Sequence, residues 1–89
     1  LPTELTTIYY DAFYGCNNLA KITFNKKLTS IGNYAFRYCS ALQNVAFPDT
    51  LSSLGEYAFA NCTDLKKVNW GSNLSFMLWE SFWRSWRPR

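Results

Sequence analysis

The sequence predicts an α/β repeat solenoid, and three observations predict it. Phe13, Phe36, Phe59 and Phe82 stand 23 positions apart, and Cys16, Cys39 and Cys62 keep the same beat. One half of each unit alternates apolar and polar residues, the period of a half-buried strand. The other half spaces its apolar residues three and four apart, which suits a short helical turn. A unit of this length cannot bury its apolar edge alone, so neighbouring units must stack around one continuous core.

The units read in order. Residues 1–4 align with 47–50, the tail of a unit. Full units follow at 5–27, 28–50 and 51–73, and 74–89 holds a degenerate fourth unit with a Trp- and Arg-rich tail. Solenoids ordinarily end in atypical capping units. A chain that opens inside a unit is therefore expected to be a fragment of a longer array.

Within the units, Leu19-x-x-Ile22-x-Phe24, Leu42-x-x-Val45-x-Phe47 and Leu65-x-x-Val68-x-Trp70 predict short strands. Stacked in parallel about 4.8 Å apart, they would form a ladder on one side, the expected concave face. Ile31-Gly32-x-x-Ala35-Phe36-x-x-Cys39 predicts a short helical turn on the opposite, convex side. Ala12, Ala35 and Ala58 leave room for close stacking. Gly32 and Gly55 are expected to permit a backbone turn, although Tyr9 takes that place in the first full unit.

The recurring Leu-x-x-Ile-Gly-x-x-Ala-Phe-x-x-Cys-x-x-Leu-x-x-Val-x-Phe-Pro resembles the BspA-like, or treponemal-type, leucine-rich repeats. The resemblance covers residues 1–74 well and the tail poorly. It implies a leucine-rich-repeat solenoid with a concave parallel sheet. It also implies a place at the cell surface or in secretion, and a role in adhesion or protein binding.

Composition narrows the function classes. The chain is 48% apolar and 17% charged, which fits a globular domain rather than a disordered one. A net charge of +3 gives no field of the kind that draws a protein onto nucleic acid. Catalysis has no visible set. There is no histidine, and Glu4, Asp11, Asp49, Glu56 and Asp64 fall at outward positions in unrelated phases. The three cysteines are too far apart for a metal site and recur with the core, so they are read as small apolar core residues. Ser85 takes their place in the fourth unit.

Three surfaces remain as candidates. Outward strand positions form two columns on the expected concave face, Lys21/Asn44/Lys67 and Thr23/Ala46/Asn69. They are either a partner-binding face or ordinary solubilising residues. The convex side carries Tyr10, Tyr14, Tyr34, Tyr38 and Tyr57, a secondary aromatic patch of a type favoured at interfaces.

The third surface is the tail, with Phe76, Trp79, Trp83, Arg84 and Trp86. Read as a helix, it puts its tryptophans on one stripe and pairs Glu80 with Arg84 on another. A cap over the last coil, a segment lying on a membrane, and an altered coding end with no evolved role all stay open.

The expected function is that of a non-enzymatic protein-binding repeat module without cofactor, part of a cell-surface adhesin-like protein. Its partner would be a host extracellular protein or another cell-surface protein. The alternatives are a structural spacer with no ligand of its own, or a membrane-associating fragment acting through the tail. End-to-end self-association is a further expectation, because a short solenoid exposes its coil edge.

Overall fold

The computed structural model describes residues 2–74 and 79–85, with Trp79 described by its backbone alone. In chain order the elements are β1 (Thr7–Ile8), β2 (Ser30–Ile31), β3 (Asn44–Ala46), β4 (Ser53–Leu54) and β5 (Lys67–Asn69), then a 3-10 turn at Trp79–Phe82. Among the described residues all pairings are parallel, and each advances one repeat along the chain. Thr7 pairs with Ser30 and Ser30 with Ser53, while Val45 pairs with Val68.

The strands of the described residues form two ladders. Strands β3 and β5, with Lys21 bridging to Asn44, make the ladder that the alternation predicts. Its burial runs exposed–buried–exposed over β3, with Val45 inside and Asn44 and Ala46 out. Strands β1, β2 and β4 make a second ladder that the sequence did not announce. Ile8, Ile31 and Leu54 point inward from it and are buried.

The side expected to be convex corrects an expectation. In the three regular coils it is a chain of tight turns, not a helix. Within a coil, Ala35 N donates to Gly32 O, Arg37 N to Tyr34 O and Cys39 N to Phe36 O. The intervening amides, Tyr34, Phe36 and Tyr38, donate instead to Glu56, Ala58 and Ala60 of the next coil. A helix directs every interior amide to a carbonyl four residues earlier in the same segment. Here only every second one stays, and the others tie the coils together.

Left-handed residues enforce that pattern. Asp11, Tyr34 and Tyr57 recur at φ near 59°, 61° and 57°, each at the third position of a turn. Gly15, Tyr38, Asn61 and Arg84 form a second such column, at φ 75°, 63°, 59° and 57°. A positive φ at that position belongs to a type II turn and cannot continue a helix.

The core lies between the ladders and the turns. Phe13, Phe36, Phe59 and Phe82 stack nearly parallel, with centroid steps of 4.9, 4.9 and 5.4 Å. A second column, Phe24, Phe47 and Trp70, steps by 5.9 and 6.0 Å. Edge-to-face contacts join the columns, from Phe24 to Phe36, Phe47 to Phe59 and Trp70 to Phe82, at 5.9, 5.5 and 5.3 Å. Such pairs contribute about 0.5–1.5 kcal/mol each beyond the area they bury. Leu28, Leu42 and Leu51 close the remaining space and are fully buried.

Candidate protein-binding face

Inward residues of the β3–β5 ladder fix the outward ones. Because Val45 faces the core and Val68 lies half-buried beside it, period two turns Asn44, Ala46, Lys67 and Asn69 to solvent. Lys21 joins through its bridge to Asn44, and Thr23 is exposed two residues further on. The six residues of the two columns therefore come together on one face. With Ile22 and Val45 they line a depression of about 440 Å³. None of the lining residues is acidic.

Among the described residues the one ion pair lies elsewhere, between Lys27 Nζ and Glu4 Oε1 at 2.6 Å. Lys21 and Lys67 thus present uncompensated ammonium groups. A neighbouring hollow of about 450 Å³ was missed by sequence reasoning. It is lined by Lys26, Phe47, Pro48, Asp49, Thr50, Asn69 and Gly71. Its only sequence signal is the turn pair Pro48 and Gly71, the latter at φ 68°.

The tyrosines are organised around Arg37. Its guanidinium carbon lies 5.6, 5.1 and 5.2 Å from the ring centroids of Tyr34, Tyr38 and Tyr57. Tyr34 and Tyr57 stack at 5.7 Å, and Tyr14 meets Tyr38 edge-on at 5.7 Å. Tyr14 and Tyr38 are nonetheless nearly half exposed, and Tyr10, at 72% exposure, stands outside the cluster. Among the described residues the buried Arg37 Nε has no hydrogen-bond partner, so ring faces are its main company.

The cysteines divide. Cys39 and Cys62 are fully buried core residues, whereas Cys16 is exposed, against the expectation of a uniform core column. Cys39 Sγ donates to Phe13 O of the coil before it, and Cys62 Sγ to Phe36 O, each at 3.2 Å. Ser85 Oγ donates in the same way to Phe59 O. Position and bond survive the exchange of sulfur for oxygen. Burial pushes the Cys39 thiol up to about 11, with the neighbouring Cys16 adding to the rise and a backbone hydrogen bond opposing it. It pushes Cys62 up to about 12. Thiols held neutral in this way are packing groups rather than nucleophiles.

A family model described as "BspA type Leucine rich repeat region (6 copies)" matches residues 1–86. The chain belongs to the BspA-type leucine-rich repeat family. Two solved structures of leucine-rich repeat proteins are similar to it. One, the Treponema pallidum protein TpLRR, is 37% identical with a TM-score of 0.76 over 76% of this chain. The other, from Bacteroides ovatus, is 32% identical with a TM-score of 0.75 over 78% of this chain. The chain spans 32% and 18% of their respective lengths. No curated protein matches it.

The leucine-rich repeat match runs past residue 74 and takes in Trp79, Trp83, Arg84 and Trp86. The described part of this tail stacks as a further coil. Tyr57, Phe59 and Asn61 amides donate to Glu80, Ser81 and Trp83 carbonyls, and Cys62 N donates to Ser85 Oγ. Ser81 Oγ donates to Gly55 O at 2.7 Å, and Phe82 is buried against Phe59.

The amphipathic helix expected here is replaced, over 79–85, by a 3-10 turn that the left-handed Arg84 follows. Arg84 lies over the Trp83 ring at 5.9 Å and makes no ion pair with Glu80. Phe76 and Trp86 lie outside the described residues. No helix of the described residues is long and apolar enough to cross a membrane.

Proposed function

We propose that the chain is a protein-binding part of a larger, adhesin-like surface protein, and that it binds through the β3–β5 face. Leucine-rich repeats generally mediate protein–protein contact and are generally non-enzymatic. Those of the BspA type are commonly surface-associated. One observation carries the choice of face. Lys21, Thr23, Asn44, Ala46, Lys67 and Asn69 converge on a single depression of about 440 Å³. Its floor is a hydrogen-bonded ladder over a packed aromatic core, so little ordering cost falls on the protein when a partner docks.

The test is selection from a random displayed-peptide library against the whole chain. Bound peptides are expected to be lost when Ala46→Trp fills the depression. They should be kept when Ser53→Trp alters the other ladder. Binders indifferent to Ala46→Trp overturn the choice of face. A library with no binders favours a spacer whose specificity lies elsewhere in the parent protein.

A further inference from the structure

The proposed face has a charge pattern with a measurable pitch. Lys21 and Lys67 stand one coil to either side of Asn44, as their pairings to that residue require. The core rings set the step, since Phe13 to Phe36 and Phe36 to Phe59 are each 4.9 Å. Two steps separate the lysine stems by roughly 10 Å, the distance across two neighbouring strand spacings. Both lysines are exposed, and neither is in an ion pair among the described residues. With no acidic residue in the lining, the depression is set for negative charge at two points.

We propose that the occupant is an acidic polypeptide segment in the polyproline II conformation, lying across the strands with a carboxylate at every third residue. The inference rests on the β3–β5 face being the binding surface. A polyproline II chain has three residues per turn and rises about 3.1 Å per residue, so every third side chain returns to the same side after about 9.3 Å. That matches the lysine separation.

A β-strand does not match, because its same-side residues recur at about 6.7 Å and then at about 13 Å. An α-helix brings residues seven apart to about 10.5 Å, but it is about 10–12 Å wide and satisfies its own backbone. The three-residue strands β3 and β5 offer a floor of only about 10 Å. The polar side chains of Thr23, Asn44 and Asn69 would also find no backbone partner on a helix. A polyproline II segment has no internal hydrogen bonds and leaves its carbonyls to those side chains. Ala46, small and exposed between them, leaves room for a proline ring.

The experiment is fluorescence anisotropy of labelled peptides with the whole chain. The probes are a Glu-Pro-Pro repeat, a Gln-Pro-Pro repeat of equal length, and a peptide of the first composition with its glutamates gathered at one end. The Glu-Pro-Pro repeat is expected to bind best, and more weakly as salt rises. Lys21→Ala and Lys67→Ala should each weaken it about threefold, the scale of an exposed ion pair. Lys26→Ala should leave it unchanged.

Equal binding of the neutral or clustered peptide overturns the proposal. So does a heparin oligosaccharide that displaces the peptide and binds more tightly through the same lysines, which would assign the face to a sulfated glycan. If displayed peptides sense Ala46→Trp but neither lysine variant, the face stands and the acidic partner falls. If they sense none of the three, both readings fall.

Discussion

A Cβ on Gly32 would stand 2.6 Å from the backbone nitrogen of Tyr10 in the preceding coil. Gly32 and Gly55 are therefore glycines of close approach, not of turn geometry, and neither has a left-handed φ. The clash is with backbone, which cannot rotate away. Gly32→Ala and Gly55→Ala are each expected to lower unfolding free energy by about 1–3 kcal/mol, as overpacking does. Tyr9, in the same register but 71% exposed, should accept alanine within about 0.5 kcal/mol. Urea unfolding of the three variants checks both halves.

The cysteines make stability depend on alkaline pH. Their ordinary value of 9.0 is pushed up to about 11 in Cys39 and about 12 in Cys62 by burial. Above pH 9 the unfolded chain releases these protons while the folded chain keeps them. Stability contributed by the neutral thiols is thus complete below that pH and is lost as pH climbs toward the folded values. Each thiol ionised only in the unfolded state steepens the loss by about 1.4 kcal/mol per pH unit. Urea midpoints measured from pH 8 upward should fall, and fall less in the double variant Cys39→Ser, Cys62→Ser. In the native chain a maleimide should label Cys16 quickly, with Cys39 and Cys62 labelled only after unfolding.

The 23-residue spacing makes the columns legible because each column packs on copies of itself. Phe36 lies between Phe13 and Phe59, so a beat in sequence is a stack in space. Alternation around Val45 was likewise enough to bring Lys21, Asn44 and Lys67 to one face. The β1–β2–β4 ladder is different. Two residues, such as Ser30–Ile31, are too few to show a period. The three-and-four spacing of Ile31, Ala35, Phe36 and Cys39 is real, but linked turns produce it as well as a helix does. What separates the two is a left-handed residue at the third position of the first and last turn of each coil. That role falls to Tyr34, Tyr38, Tyr57 and Asn61, whose residue types only weakly signal it.

Among the described residues, Arg37 is held by rings rather than by carboxylates. It faces Tyr34, Tyr38 and Tyr57 within 5.6 Å, and its Nε is buried. A partly desolvated cation over aromatic faces is worth about 0.5–2 kcal/mol. Arg37→Ala is expected to cost stability on that order, and Arg37→Lys nearly as much, because an ammonium cannot lie flat on several rings. Thermal unfolding of both variants distinguishes this from a loosely held surface charge, for which either change would be close to neutral.

The stacked tail predicts a separation of stability from membrane affinity. Phe82 extends the ring column at 5.4 Å from Phe59 and is buried, so it covers a core face that would otherwise be open. Removing it leaves a cavity beside Phe59 and Trp70, and Phe82→Ala is expected to cost about 3–5 kcal/mol. Ser81→Ala acts through a single bond. Without its hydroxyl, Gly55 O loses the partner now at 2.7 Å, at an expected cost of about 1 kcal/mol. Neither variant should change co-sedimentation with anionic lipid vesicles, because the side chains they remove face the third coil. A tail that serves mainly as a membrane segment would give the reverse pattern, with vesicle binding altered and the unfolding midpoint unmoved.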